Sequence, residues 1–277
     1  MLRTLLYCFA AVVVAAPASA QLTAAKDAPV AMGHHHLNVA DIEAHRVLWG
    51  PLLGGELVKL GPIEGFKFPN VLVFLREKQP MRGSVGTAVN HIGFLVKDIK
   101  GSITKLKAGG IEVITRQAVA GATEDIIFNE RTGVHIAFIQ APDQLKVELI
   151  EDRSLSTPIA NHHIHYYTAD VEGLQAWYAK VFGAVPGTRG PFKTTDLPGV
   201  NLTYSKAEKP EKPIQGTVLD HTGFEIENLK AFCERLEKMG IVFDRPYEEI
   251  TALKLNIAFL TDPAGAYLEL TEGLDRL

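Results

Sequence analysis

The 277-residue chain carries only two cysteines, Cys8 and Cys233. They cannot make a disulfide framework. Cys233 sits inside a helical pattern and reads as a small core residue rather than a nucleophile. Positive charge is not in excess either: 28 Lys and Arg face 32 Asp and Glu, a net charge of −4. With no basic stripe, a nucleic-acid partner is not expected. The apolar run at the N-terminus, Leu5 to Ala16, is too short for a comfortable membrane span. What remains is ordinary globular composition, 47% hydrophobic and 22% charged, with room for one large or two modest cores.

The N-terminus reads as a targeting segment. Met1 to Ala20 has one early charge, Arg3, then the apolar run, then Ala18-Ser19-Ala20 before Gln21. This is the layout of a cleaved secretory signal. The expected product is periplasmic or secreted, without a stable membrane anchor. Cys8 lies too early in the run for a lipoprotein attachment site. Residues 21–32 read as a leader, with ordered structure expected from Gly33.

From there the chain repeats itself. The stretch LDHTGFEIENLKAFCERLEKMG (219–240), with DPAGAYLEL (262–270), echoes VNHIGFLVKDIKGSITKLKAGG (89–110) and APDQLKVEL (141–149). His91 recurs as His221, an offset of 130 (221 − 91), and Glu148 as Glu269, an offset of 121 (269 − 148). An earlier phrase, HHHLNVAD, recurs as HIHYYTAD at an offset of 129 (163 − 34). Each unit reads as a strand, a helix, then two or three strands. Strict alternation places His34, His91, His163 and His221 on one strand face and aliphatic residues on the other. The helices show apolar faces: Ile99, Ile103 and Leu106 in the second unit, Leu174, Trp177, Tyr178 and Val181 in the third. The predicted fold is α+β: four βαβββ units arranged as two paired, curled mixed-sheet half-barrels. The expected domains are 33–152 and 153–277. A sheet face carrying His, Gly, Glu and Tyr describes a site rather than a core.

These motifs resemble the vicinal oxygen chelate superfamily, which includes glyoxalase I, fosfomycin and bleomycin resistance proteins, and extradiol dioxygenases. The resemblance rests on the HIGF and HTGF openings seven residues before Asp98 and Asn228, the AWYAKVFGA helix and the DPAGAYLEL strand, and it covers about residues 34 to 273. A fold of this kind does not determine the reaction. The resemblance implies that His163, His221 and Glu269 hold a divalent metal in the C-terminal half. Two imidazoles and a carboxylate with open positions suit Fe(II) or Mn(II), and Zn(II) is also feasible. The N-terminal half carries the matching set His34, His91 and Glu148, so two centres are expected, one per half. Gly93 and Gly223 leave space on the metal-facing side. His36 and His165, two residues beyond a ligand position, are expected to act as second-layer hydrogen-bond donors or acid–base groups. A lone strand histidine is usually structural, and His35 and His162, on the opposite face, are read that way. Tyr167, Tyr204 and Tyr267 are open between pocket lining and packing.

The departures from relatives narrow the reaction. The Tyr position of the ring-cleavage signature holds Phe259, and no His lies just upstream. The strand expected to supply a glyoxalase carboxylate reads VLVFL in one unit and VNLTY in another. Three functions stay open. The first is an exported, dioxygenase-like metal enzyme that chelates a small oxygen-bearing substrate. The second is a glyoxalase-like lyase or isomerase. The third is a metal-free small-molecule binding protein of the bleomycin-resistance type. Export would favour zinc or manganese over Fe(II), which is hard to keep reduced outside the cytoplasm. Four units can close both clefts in one chain, so either a monomer or a homodimer is compatible.

Overall fold

In the computed structural model, residues 22–23 and 28–277 are described; the signal segment expected at 1–20 lies outside them. Unit one comprises β1 (Val30–Val39), α1 (Ile42–Val47), β2 (Glu56–Leu60), β3 (Ile63–Phe68) and β4 (Val71–Glu77). Unit two comprises β5 (Val89–Val96), α2 (Ile99–Ala108), β6 (Glu112–Val113), the single turn α3 (Thr115–Ala118), β7 (Ile127–Asn129), β8 (Val134–Ala141) and β9 (Leu145–Glu151). Unit three comprises β10 (Ile159–Thr168), α4 (Val171–Phe182), β11 (Val185–Arg189), β12 (Phe192–Leu197) and β13 (Val200–Lys206). Unit four comprises β14 (Leu219–Ile226), α5 (Leu229–Lys238), β15 (Arg245–Ile250), β16 (Leu255–Thr261) and β17 (Tyr267–Glu272).

The main helix of every unit starts on the same device. The side chains of Asp41, Asp98, Asp170 and Asn228 accept hydrogen bonds from the backbone N–H groups of Ala44, Gly101, Gly173 and Ala231. Each bond satisfies a donor that the helix itself leaves orphaned. Each cap follows its strand histidine by seven residues (41 − 34, for example). The cap and the strand alternation therefore set the face of each histidine together.

In every unit the first strand runs parallel to the last, as β1 does to β4 and β14 to β17. Units join through antiparallel first strands, β1 with β14 and β5 with β10. The result is an eight-stranded sheet from units one and four and a nine-stranded sheet from units two and three. This corrects the expected pairing within each half of the sequence. The connection between β9 and β10 (residues 152–158) is short and returns the chain alongside β5. The longer connections 78–88 and 207–218 cross between the sheets.

Smaller differences have local causes. Structure begins at Val30 rather than Gly33, because Val30 and Met32 pair with Ile226 and Phe224 and are buried there. Leu22 packs into a small apolar cluster with Leu60 and Leu274. After α1 the chain widens into a π-helical turn at Leu48–Leu52 around Pro51, where proline removes a backbone donor. One main core draws on all four units. Trp49 of unit one meets Phe94 of unit two at 5.9 Å between ring centroids, and Phe182 of unit three meets Phe224 of unit four at 5.0 Å. The histidine-bearing faces are thus turned away from this core. Among the described residues no helix is long and apolar enough to cross a membrane.

Candidate metal centres

Pairing of first strands brings the predicted donors together, with one exchange. His34 on β1 and His221 on β14 each place Nε2 2.9 Å from Oε2 of Glu269 on β17. His91 on β5 and His163 on β10 place Nε2 3.0 and 3.2 Å from Oε2 of Glu148 on β9. The sets expected from each half, His34, His91 and Glu148 or His163, His221 and Glu269, are therefore not assembled. The two opening-strand histidines of units one and three trade places, because β1 lies beside β14 and β10 beside β5. In each centre the donor atoms lie within 4.8 Å of one another when His36 or His165 is included.

Glycine makes the assembly possible. Gly223 pairs with His34 across the sheet, and a Cβ added to it would lie 2.1 Å from His34 Cε1. Gly93 stands in the same relation to His163, at 2.0 Å. The imidazole fills the room that any other side chain would take.

The donor chemistry fits a cation. His221 Nδ1 lies 2.8 Å from Asp220 Oδ2, a carboxylate that can only accept. A neutral His221 therefore donates from Nδ1 and presents a lone pair at Nε2 toward Glu269, which is also an acceptor. Two acceptors at 2.9 Å repel unless a proton or a metal lies between them. His91 repeats the pattern, with Nδ1 3.0 Å from Asn90 Oδ1 and Nε2 3.3 Å from His163 Nε2. Two imidazoles and a carboxylate in a buried cluster suit a divalent metal.

The groups behind the ligands differ between the centres. Asp220 also accepts from Asn38 Nδ2 at 2.8 Å and the Gly216 N–H at 2.8 Å, and pairs with Arg76 at 3.1 Å. Burial pulls His221 down, but its bonds to Asp220 and Glu269 outweigh burial and its pKa stands above the ordinary value. His91 has an amide in place of that carboxylate. Burial dominates there and lowers its pKa to about 4 against the Glu148 bond. Burial raises Glu269 and Glu148, but their paired imidazoles overcome it and hold both carboxyls below the usual range. Such partners orient a metal-bound imidazole and raise its basicity. Asp220→Asn is thus expected to weaken metal affinity at the first centre by about 10- to 100-fold. Competition with a chromophoric chelator measures this, and an unchanged affinity would remove Asp220 from the centre.

His36 and His165 flank the clustered donors without bonding either glutamate. His36 lies 4.6 Å from His221 between ring centroids, and its buried Nε2 has no hydrogen-bond partner. His165 lies 4.5 Å from His91, with Nε2 2.8 Å from Ser205 Oγ and Nδ1 unpartnered. Burial, then His221 for His36 and His91 for His165, holds both well below the ordinary imidazole value. Both are neutral at pH 7. The place expected to lack a fourth carboxylate is filled by Phe74 in one centre and its counterpart Thr203 in the other. Tyr204 is buried in the core, bonded to Thr195 at 2.6 Å, and packs rather than lining a site. Tyr167 lines the larger cavity, and Tyr267 stacks on Phe259 beside His221.

Each centre opens into a cavity. The first, about 270 Å³, is walled mainly by apolar residues such as Leu60, Ile63 and Phe259. The second, about 530 Å³, is lined by Lys146, Arg189 and Tyr167 as well as Phe138 and Phe192. These basic groups and Asp220 escaped the reading of the sequence. Comparing Asn90 with Asp220, immediately before each histidine of the repeat, would have found the latter.

Residues 161–270 match the model of the family described as Glyoxalase/Bleomycin resistance protein/Dioxygenase superfamily. A Vibrio parahaemolyticus serotype O3:K6 (strain RIMD 2210633) protein named "Probable lactoylglutathione lyase" is 28% identical over 139 residues, 44% of this chain and 91% of the relative. Glyoxalase I from Zea mays has the same fold across both sheets, with a TM-score of 0.69 and 18% identity over 91% of this chain and 95% of that one. The family match falls on units three and four, and the chain as a whole shares the fold: mixed, open, curled sheets with no closed barrel among the described residues.

Proposed function

We propose that the protein is a metal-dependent, dioxygenase-like enzyme that takes a small substrate through adjacent oxygens at its two-histidine, one-glutamate centres. The observation that carries this reading is the donor set itself. Two histidines and one glutamate converge from three strands with a third histidine beside them, and among the described residues no second carboxylate joins them. Coordination positions then remain for two substrate oxygens and a further small molecule. A bound divalent cation would supply Lewis acidity and lower the pKa of chelated hydroxyls. The chain's own residues do the rest. Asp220 and Asn90 orient the imidazoles of His221 and His91. Neutral His36 and His165 accept the proton that a chelating hydroxyl gives up. Phe74 and Phe259 keep water from the first centre.

The second reading is a lyase or isomerase acting on a thiol adduct, favoured by the likeness to a relative named as a lactoylglutathione lyase. Both readings need the metal. The test combines metal analysis with two assays on Fe(II)-loaded protein: dioxygen uptake with catechol, and conversion of the methylglyoxal–glutathione adduct. Uptake that disappears on chelation and falls at least about 100-fold in His221→Ala combined with His91→Ala supports the proposal. Adduct conversion without uptake replaces it with the second reading. Full ligand binding in metal-stripped protein removes both.

A further inference from the structure

The two centres share their ligands but not their surroundings, and the repeat shows where they part. At equivalent positions, Lys146 stands for Tyr267 (267 − 121), Arg189 for Leu60 (60 + 129), Ser205 for Arg76 (76 + 129) and Asn90 for Asp220 (220 − 130). In the first centre both basic residues are neutralised: Arg76 bonds Asn38 Oδ1 at 2.6 Å and pairs with Asp220 at 3.1 Å, and Arg245 Nε donates to Glu248 Oε2 at 2.8 Å. In the second centre they are not. Among the described residues, neither Lys146 nor Arg189 forms an ion pair within 4 Å. Lys146 is buried, with Nζ 3.4 Å from Asn90 Oδ1 and 4.4 Å from the Phe138 ring centroid. Arg189 is half-buried. One terminal nitrogen donates to Thr203 Oγ1 at 3.0 Å, while its buried Nε–H has no acceptor. Both side chains line the 530 Å³ cavity that holds Glu148 and His165.

Burying a cation without a partner costs free energy that a ligand can recover. An unpaired ammonium and an unsatisfied guanidinium N–H facing one cavity match a carboxylate. We propose that the centre formed by units two and three binds an oxygen-chelating ligand that also carries a carboxylate, recognised by Lys146 and Arg189. The centre formed by units one and four takes a smaller ligand without that charge. The inference rests on the chelating role proposed above for the two centres.

Calorimetric titration of the full-length zinc-loaded protein with catechol and with 3,4-dihydroxybenzoate tests it. The two probes offer the same vicinal oxygens and differ by one carboxylate. The dihydroxybenzoate is expected to bind about tenfold more tightly than catechol, a preference kept in His221→Ala and lost in His91→Ala. Lys146→Met and Arg189→Met should each weaken dihydroxybenzoate by about tenfold while leaving zinc content and catechol affinity in place. Lys146→Gln replaces Lys146→Met if thermal unfolding shows the latter misfolded. Equal affinities for the two probes, or a preference that survives in His91→Ala, overturns the proposal. Dihydroxybenzoate binding that persists after EDTA yet falls in Lys146→Met overturns chelation and keeps the anion site. Binding of neither probe overturns both.

Discussion

Replacing Gly223 with alanine is expected to lower the bound divalent metal from two ions per chain to one. The added Cβ would lie 2.1, 2.3 and 2.7 Å from Cε1, Nδ1 and Nε2 of His34. These are ring atoms on a short side chain, held against Phe74 on one side and His221 on the other, each at 5.5 Å between centroids. The ring cannot move slightly and still reach Glu269; it must leave. Losing one of three protein ligands should cost at least about 100-fold in affinity, more than loss of a supporting group. Gly93→Ala should have the same effect at the other centre through His163, and the double variant should retain metal at neither centre. Elemental analysis after dialysis reads the stoichiometry. Two equivalents retained at unchanged affinity in Gly223→Ala would mean that His34 is not a ligand.

The second large effect is on protons. In metal-free protein His221, with its pKa above the ordinary 6.5, holds a proton at pH 6 that a metal must displace. His91, at about 4, holds none. Loading zinc at pH 6 should therefore release about one proton from the first centre and close to none from the second. Affinity at the first centre should fall about tenfold per pH unit below the His221 pKa. Titration in buffers of different ionisation enthalpy separates the two, with His91→Ala and His221→Ala isolating each centre. Equal proton release from both would refute the difference assigned to Asp220 and Asn90. The same shifts govern stability of the metal-free chain, with opposite signs. His221, raised on folding, contributes stability that is full below pH 6.5 and lost as pH rises through its folded value. His91, lowered on folding, contributes stability present above pH 6.5 and lost as pH falls toward about 4.

The six donor residues are legible in the sequence because a strand has a period of two and each histidine stands a fixed distance before a cap. Those two regularities decide the face of a side chain without reference to distant partners. Which histidine meets which glutamate is not legible in the same way. Backbone ladders between β1 and β14 bind any sequence, and four opening strands of similar pattern offer several pairings. The structure pairs β1 with β14 and β5 with β10. β3 is faint in the sequence because Gly65 and Lys67 interrupt its apolar character. Lys146 was passed over because a lysine in a strand normally faces water, and only the assembled cavity shows it buried. Arg189 lies 41 positions past Glu148 (189 − 148), and no local pattern connects them.

Joining the outermost units to each other has a consequence for biosynthesis. The inner centre draws on residues close along the chain: His91 and Glu148 are 57 positions apart, His91 and His163 only 72. The outer centre must unite His34 with Glu269 across 235 positions. A polypeptide emerging from the ribosome can finish the inner centre while the outer one still lacks half its strands, since distant contacts wait for late residues and closure entropy rises with separation. Until β14 emerges, the edge of β1 away from β4 stays unpaired, on a strand bearing three consecutive imidazoles.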